Sequence, residues 1–312
     1  MTERPLKYTR QEYIQPPHGF CAGCGVVLAL RYFLKAIGDK VILVMPPGCA
    51  SPSVLFPKPS LIHDGRPLEI VASPFGSSAI FAGGIKSGLQ ARGETETHVV
   101  AWAGDGATFD IGFGAVSASA ERNEDIIYVC YDNEAYMNTG NQRSGATPRG
   151  ARTSTNPEPA VKHENKKDIT WIMMGHGVPY AATATISYAD DLIAKVRKAA
   201  GIKGFRFLHI LTPCVAGWGY RSELTVELSR LAVETGVFPL LEIEQGTKLT
   251  ITRKPKPEPL EKYIKAQGRF NHMNLSDIDQ FRAFIEMRWK RLEYLADQGE
   301  GYVERSAAIS PS

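Results

Sequence analysis

The sequence has little that would mark a secreted, membrane-spanning or disulfide-rich protein. Its 312 residues include only five cysteines, too few for a disulfide scaffold. No apolar run approaches the ~20 residues that cross a bilayer. Residues 1–17 are polar and rich in proline, without the apolar centre of a signal peptide. We therefore expect a cytoplasmic protein with no membrane partner.

The charges are nearly balanced. The chain has 36 Lys and Arg against 33 Asp and Glu, a formal net charge of +3. Nucleic-acid binders normally carry a dense basic face, so we expect no nucleic-acid partner. Hydrophobic residues make up 43% and charged residues 22%, as in globular chains with a large core. The sequence contains no P-loop, G-x-S-x-G or Rossmann motif, and other residues must carry the chemistry.

Apolar runs alternate with helical patterns along the chain. Each run is short and stops at turn residues, as in strands that are buried on both faces. This alternation predicts an α/β fold, an open parallel sheet with helices on both faces. The predicted strands are 41–45, 99–103, 126–131 and 205–211, and the predicted helices are 25–37, 78–91, 112–122, 190–200 and 223–235.

Two segments interrupt this pattern. Residues 133–167 form a long polar segment, and a loop of this length is typically functional or disordered. Residues 253–259 read Arg-Lys-Pro-Lys-Pro-Glu-Pro, which is typical of an extended linker. Beyond them, Ser276 is the predicted N-cap of an amphipathic helix. We predict an α/β domain over residues 1–250, and a linker with a C-terminal helical extension over residues 251–312.

Polar residues follow two successive predicted strands. Gly104, Asp105 and Gly106 come after one strand and Asn133 after the next. An Asp-Gly pair alone is typical of a simple turn. The combination is more specific, because the ends of both strands lie at the carboxyl edge of a parallel sheet, where ligands bind. Carboxylate, amide and carbonyl oxygens suit Mg²⁺ holding a diphosphate, and the glycines let the main chain approach phosphate closely.

Four of the five cysteines lie at predicted helix starts or strand ends. Cys21 and Cys24 form a C-x-x-C motif, and Cys49 and Cys214 each follow a strand. Four thiolates at one sheet edge suit either Zn²⁺ or a [4Fe–4S] cluster, and the spacing favours neither. A redox pair of Cys21 and Cys24 is a further alternative. Cys130, inside a strand, is predicted to be a small buried apolar residue.

These motifs resemble a known family. The Gly104–Gly106 motif, with 27 residues between Asp105 and Asn133, is similar to the diphosphate motif of thiamine-dependent enzymes. Residues 132–140, Asp-Asn-Glu-Ala-Tyr-Met-Asn-Thr-Gly, more specifically resemble the β subunit of pyruvate-class 2-oxoacid:ferredoxin oxidoreductases. The resemblance continues at residues 21–25, 48–49, 142–148 and 211–214, and it spans roughly residues 15–245.

The resemblance implies two cofactor sites. Thiamine diphosphate would bind through Mg²⁺, with Asp105, Asn133 and the carbonyl of Ala135 as ligands. Asn138 would face the reacting carbon, with an Asx turn as the alternative role. The [4Fe–4S] ligands would be Cys21, Cys24, Cys49 and Cys214. The other expected cofactor-binding residues are Gly104, Gly106, Ala107, Glu134, Tyr136 and Met137, and Cys49 is expected to touch the cofactor as well.

The implied reaction is the oxidative decarboxylation of a 2-oxoacid, with electrons passing through the cluster to ferredoxin. A partner α subunit would complete the thiamine site, and a ferredoxin-like subunit or domain would relay electrons. Three alternatives remain from the sequence. They are a thiamine-dependent decarboxylase or synthase without redox chemistry, a zinc-bearing structural subunit, and a plain nucleotide-binding module.

The loop after the thiamine motif departs from the family pattern. Arg149 and Arg152 occupy places where pyruvate-type proteins usually have an uncharged residue and a Trp. Because a guanidinium pairs well with a carboxylate, the two arginines are candidate catalytic residues for a substrate with an extra negative charge. Oxalate, cleaved to two carbon dioxides without coenzyme A, is the specific alternative, and a 2-oxo dicarboxylate is another. The competing hypothesis is that both arginines face solvent, a partner subunit or ferredoxin.

Overall fold

A central sheet is present in the computed structural model, which describes residues 11–56 and 58–306, with side chains as far as residue 298. The strands are β1 (Val41–Met45), β2 (Ile62–His63), β3 (Arg66–Pro67), β4 (Glu69–Ala72), β5 (His98–Gly104), β6 (Ile127–Asp132), β7 (Tyr180–Thr185), β8 (Arg206–Leu211), β9 (Leu240–Glu244) and β10 (Lys248–Arg253). The α-helices are α1 (Gly25–Ile37), α2 (Ala50–Leu55), α3 (Ser78–Ala91), α4 (Phe113–Glu121), α5 (Ile169–Gly175), α6 (Ala189–Gly201), α7 (Val215–Trp218), α8 (Thr225–Glu234), α9 (Leu260–Lys265) and α10 (Leu275–Ser306).

Eight of these strands form one sheet in the order β10-β9-β7-β8-β6-β5-β1-β4. The six strands from β7 to β4 in this order are parallel, and β9 and β10 add an antiparallel edge. The predicted α/β sheet is therefore confirmed, and the antiparallel edge was not predicted. Because the strands are parallel, the carboxyl ends of β1, β5, β6 and β8 all lie at one edge.

Helices cover both faces of the sheet. One face packs under α1 and α6, where Phe33 meets Trp102 with ring centroids 5.3 Å apart. The other face packs under α3, α4 and α5. Burial on both sides explains why the strands read as continuous apolar runs without alternation. The bounds of α1 and α3 agree with the predicted helices residue for residue.

The C-terminal extension continues directly from the sheet. Strand β10 pairs with β9 and ends at Arg253, three residues past the predicted boundary at 250. The predicted cap of α10 is wrong, because the helix begins at Leu275, before Ser276. Asn274 and Asp277 instead exchange reciprocal hydrogen bonds at the helix start, at 3.0 and 3.1 Å. The buried face of α10 carries Ile278, Phe281, Ile285 and Leu292.

No helix within residues 11–56 and 58–306 is long and apolar enough to cross a bilayer.

Gly25 allows the start of α1 to touch the loop that follows β8. Its N–H donates to the carbonyl of Pro213 at 3.2 Å. A Cβ atom at this position would lie 2.8 Å from main-chain atoms of Pro213 and of Thr212. Glycine is therefore required by the close approach, which brings Cys24 beside Cys214.

This contact predicts the effect of a methyl group. We expect Gly25→Ala to lower the free energy of unfolding by about 1–3 kcal/mol, because backbone on both sides must separate. Gly84→Ala, at an exposed site in α3 with open space around its Cα, is the control, and it should stabilise by about 0.5–1 kcal/mol. Urea unfolding of the two variants checks both signs, and a neutral Gly25→Ala would contradict the packing described.

Candidate functional site

A pocket opens at the carboxyl edge of the sheet. Its walls come from the loops after β1, β4, β5 and β6, as the ends of parallel strands require. Every residue that was predicted to bind the diphosphate cofactor lines this pocket except Glu134. The lining residues are Pro47, Gly48, Cys49, Phe75, Gly104, Asp105, Gly106, Ala107, Tyr131, Asn133, Ala135, Tyr136, Met137, Asn138 and Thr139.

Three oxygen-bearing groups converge inside the pocket. One end of the Asn133 amide lies 3.0 Å from Oδ1 of Asp105 and 2.9 Å from the carbonyl oxygen of Ala135. With the amide oxygen at that end, the spacing matches neighbouring ligands of an octahedral ion, which lie about 3.0 Å apart when the bonds are about 2.1 Å. With the nitrogen there, the amide donates to both oxygens and closes the site without an ion.

Asp105 carries the only carboxylate in this group. Its side chain is 1% exposed, and Oδ2 accepts a hydrogen bond from Ser144 at 2.5 Å. Burial, together with the nearby charge of Asp132, raises the pKa of Asp105 well above its usual range. The ionised carboxylate is therefore costly at this place unless a cation binds beside it.

The cysteine motifs also converge on this edge. Cys24, Cys49 and Cys214 immediately precede the first residues of α1, α2 and α7. Burial raises the pKa of Cys49 to about 12, and the charges of Cys214 and Cys24 contribute to the rise, as does Cys21. The fold thus gathers these four thiols from segments almost two hundred residues apart. Within the described ranges, no three His, Cys, Asp or Glu side chains form a site for a single metal ion.

Main-chain N–H groups point at two of these sulfurs. Sγ of Cys214 accepts from the N–H of Gly217 at 3.4 Å. Burial raises the pKa of Cys24 to about 11, although the N–H groups of Val27 and Val26 act to lower it. Such donors stabilise a thiolate or a metal-bound sulfur.

Cys49 and Cys130 differ in accessibility. Sγ of Cys49 lies 3.8 Å from Nδ2 of Asn133, and Cys49 lines the pocket. The thiol group and the oxygen group are therefore contiguous, as the prediction that Cys49 touches the cofactor requires. Cys130 is fully buried inside β6, in agreement with its predicted role as a small apolar residue.

Glu134 does not face the pocket but belongs to a buried charge network. Nζ of Lys166 lies 2.5 Å from Asp132 and 2.7 Å from Glu134. Asp132 also contacts His209 at 2.6 Å, and Glu134 contacts Arg269 at 2.7 Å. Burial opposes ionisation of Asp132, but the charge of Lys166 and the hydrogen bond with His209 lower its pKa to about 2. This network was not predicted from the sequence, because isolated Lys, His and Arg residues carry no periodic signal.

The two arginines proposed to bind substrate lie elsewhere. Arg149 donates to Oε1 of Gln280 at 2.6 Å. Arg152 contacts Glu158 at 3.3 Å, with about half of its side chain exposed. Neither residue lines the pocket, whereas Asn138 does. The structure therefore brings only Asn138 of the three predicted catalytic residues to the pocket.

Apolar side chains are exposed near the mouth of the pocket. Phe75, a lining residue, packs its ring 6.1 Å from that of Tyr136. A Cβ at the adjoining Gly76 would lie 3.2 Å from Ile111. Ile111 is 63% exposed, and Ile80, in the first turn of α3, is 52% exposed. Exposed apolar groups clustered beside a ligand pocket are typical of a protein interface.

Known proteins resemble this chain over most of its length. Residues 56–210 match the family model described as the C-terminal TPP binding domain of thiamine pyrophosphate enzymes. Pyruvate synthase subunit PorB of Methanocaldococcus jannaschii is 43% identical over 298 residues, which cover 92% of this chain and 98% of that protein. Ketoisovalerate oxidoreductase subunit VorB of Pyrococcus furiosus is 41% identical over 297 residues, with 92% and 94% covered.

The fold is also that of a solved structure. The 2-oxoglutarate:ferredoxin oxidoreductase from Magnetococcus marinus superposes with a TM-score of 0.55 at 22% identity, over 72% of this chain and 82% of that one. The family model and the relatives together identify the class as thiamine diphosphate enzymes. More particularly, the near full-length identities place the chain in the family of 2-oxoacid:ferredoxin oxidoreductase β subunits, as predicted from residues 132–140.

Proposed function

We propose that the chain binds thiamine diphosphate and a [4Fe–4S] cluster in a complex that oxidatively decarboxylates a pyruvate-class 2-oxoacid. The observation that carries this proposal is the contact between the two predicted sites. The Asn133 amide lies 3.0 Å from Oδ1 of Asp105 and 2.9 Å from the carbonyl oxygen of Ala135, and this group shares one pocket with the thiol of Cys49. A decarboxylase without redox chemistry has no need of thiols at that position.

The oxygen group fits a magnesium diphosphate. Asp105, Asn133 and the Ala135 carbonyl would hold the ion, and the glycines beside Asp105 would admit phosphate oxygens. When bound, thiamine diphosphate supplies a nucleophilic carbon and an electron sink for decarboxylation. Asn138, at the exposed mouth, would orient the substrate carbonyl through its amide N–H groups.

The thiol group fits an iron–sulfur cluster. Cys21, Cys24, Cys49 and Cys214 would be its ligands, and the N–H group of Gly217 would donate to a sulfur. A [4Fe–4S] cluster accepts electrons one at a time. Because burial keeps the free thiols of Cys24 and Cys49 protonated, cluster binding would release protons. Cys21 is exposed, so the outer side of the cluster would face a ferredoxin-like partner.

The pocket is open on the side where apolar side chains are exposed. We assign the surface around Phe75, Ile80 and Ile111 to the α subunit, which would complete the thiamine site. Oxalate is not favoured, because Arg149 and Arg152 point to partners outside the pocket. The substrate proposed is therefore a 2-oxoacid without a second carboxylate.

Substrate assays with the intact complex test this proposal. We expect reduction of ferredoxin or a viologen with pyruvate or a branched 2-oxoacid, and we expect it to require coenzyme A. Oxalate and 2-oxoglutarate should give no more than the background rate. Activity with oxalate in the absence of coenzyme A would overturn the substrate proposed here.

The proposed magnesium ligands predict that one substitution weakens cofactor binding without lowering the stability of the ion-free protein. Asp105→Asn should weaken binding of magnesium thiamine diphosphate at least about 100-fold, more than the loss of an outer-shell group. It should not lower the free energy of unfolding of the ion-free protein at neutral pH. The reason is that Asp105 has a folded-state pKa above its unfolded value, so its ionised form destabilises the fold above the unfolded pKa.

Calorimetric titration and thermal unfolding measure the two effects of Asp105→Asn. Asp110→Asn is the matched control, since Asp110 lies five residues along the same turn and outside the pocket. Full cofactor binding by Asp105→Asn would show that the ion site is misplaced.

The cluster assignment predicts a difference between two cysteines. Cys214→Ser should remove the visible absorbance, iron and acid-labile sulfide that belong to this subunit, because one of four ligands is lost. Cys130→Ser changes a thiol that is enclosed in β6, so iron and sulfide should stay at the wild-type level. A purified subunit that contained stoichiometric zinc without sulfide would contradict the cluster.

A further inference from the structure

The loop that carries the proposed magnesium ligands contains a backbone conformation that is unfavourable for its residue. Glu134 lies between Asn133 and Ala135, and its φ is +68°. This left-handed region costs energy for a residue with a Cβ, and glycine adopts it freely. Glu134 is nevertheless 3% exposed, with its side chain turned away from the pocket. Its side chain must therefore provide something that glycine cannot.

The side chain of Glu134 is held between two cations. Oε1 lies 2.7 Å from Nζ of Lys166, and Oε2 lies 2.7 Å from Nη2 of Arg269. The guanidinium of Arg269 stacks on Trp218, 3.8 Å from the ring centroid. These two ion pairs, which we call the clamp, join Glu134 to Lys166 at the far end of the 133–167 segment and to Arg269 in the C-terminal extension.

The main chain around Glu134 is also fixed. Its N–H donates to Oδ1 of Asp132 at 2.9 Å, and its carbonyl accepts from Thr147 at 2.7 Å. The carbonyl of Asn133 accepts from Trp218 at 2.8 Å. Because these main-chain groups point away from the pocket, the Asn133 amide and the Ala135 carbonyl face Asp105.

We propose that Glu134, clamped by Lys166 and Arg269, is a positioning residue that sets the magnesium ligands Asn133 and Ala135 before the ion binds. This inference rests on the proposed function, because it concerns the affinity of the same ion site. Glu134 touches neither ion nor cofactor, and it acts through the backbone conformation that its ion pairs hold. Losing the clamp lets the loop relax away from Asp105, and the ion then has to reorder it.

Two substitutions separate the clamp from the backbone strain. Glu134→Gly removes the ion pairs and also removes the strain at positive φ. If strain were the only feature that mattered, this variant would bind the cofactor at least as tightly as the wild type. The clamp predicts the opposite, a loss of at least tenfold in affinity. Arg269→Met removes one ion pair from outside the loop and should also weaken binding.

The measurement uses the intact complex with its α subunit, stripped of Mg²⁺ and thiamine diphosphate by a chelator. Titration with both gives the Kd of each variant. Hydrogen exchange of residues 133–136 in the stripped complex is the second readout, and we expect faster exchange in Glu134→Gly. Arg206→Met is the control, because Arg206 is 2% exposed and pairs with Asp125 at the opposite edge of the sheet. It should lower stability without changing Kd or exchange in this loop.

The outcomes test the clamp separately from the proposed function of the chain. Weaker binding and faster exchange in Glu134→Gly, with Arg206→Met unchanged in both, support the clamp. A wild-type Kd for Glu134→Gly overturns it, and if that variant does not fold, a wild-type Kd for Arg269→Met does so. Failure of the wild-type complex to bind magnesium thiamine diphosphate would instead sink the proposed function.

Discussion

The carboxylate of Asp132, at the carboxyl end of β6, is fully buried, and much of the site depends on how its charge is compensated. Lys166 and His209 both contact it, and its Oδ1 accepts from the N–H of Glu134. A buried ion left without partners would cost several kcal/mol, so these contacts fix where the chain goes next. In this way one charge determines the course of the loop that follows β6.

The protein raises the pKa of the neighbouring Asp105, whereas it lowers the pKa of Asp132. Asp105 lies one strand away and accepts a hydrogen bond from Ser144, and the charge of Lys166 offsets less of its burial than it does for Asp132. Two buried carboxylates at one sheet edge thus have different roles. The charge of Asp132 is compensated by Lys166 and His209, whereas Asp105 is compensated less and is suited to an ion from outside. This separation of pKa values by environment is typical of functional sites.

The sequence predicted the parts of the fold that depend on continuous burial. Strand β1 and helices α1 and α3 have the predicted bounds, because their apolar residues follow the strand or helix period without interruption. Strand β7 was missed, since Tyr-Ala-Ala-Thr-Ala-Thr is fully buried but weakly apolar. Strands β9 and β10 were missed because charged and polar residues alternate along them at the sheet edge.

The residues that line the pocket were predicted more completely than the ion pairs and hydrogen bonds outside it. Residues on short motifs after strands have a fixed direction, so Asp105 and Asn133 meet as expected. Long side chains from irregular segments have no such constraint. Lys166 and Arg269 could therefore not be assigned partners, and the partners of Arg149 could not be anticipated.

Arg269 also bears on how this chain can be divided. It comes from the segment beyond the linker, yet its guanidinium meets Glu134 in the interior of the sheet domain. A fragment that ended at residue 250 would contain all the pocket residues and would still leave a buried carboxylate with one cation fewer. The C-terminal extension is consequently no separable appendage. A chimaera that takes the loop after β6 from one chain must therefore take the segment around Arg269 from the same chain, or both ends of the ion pair must be changed.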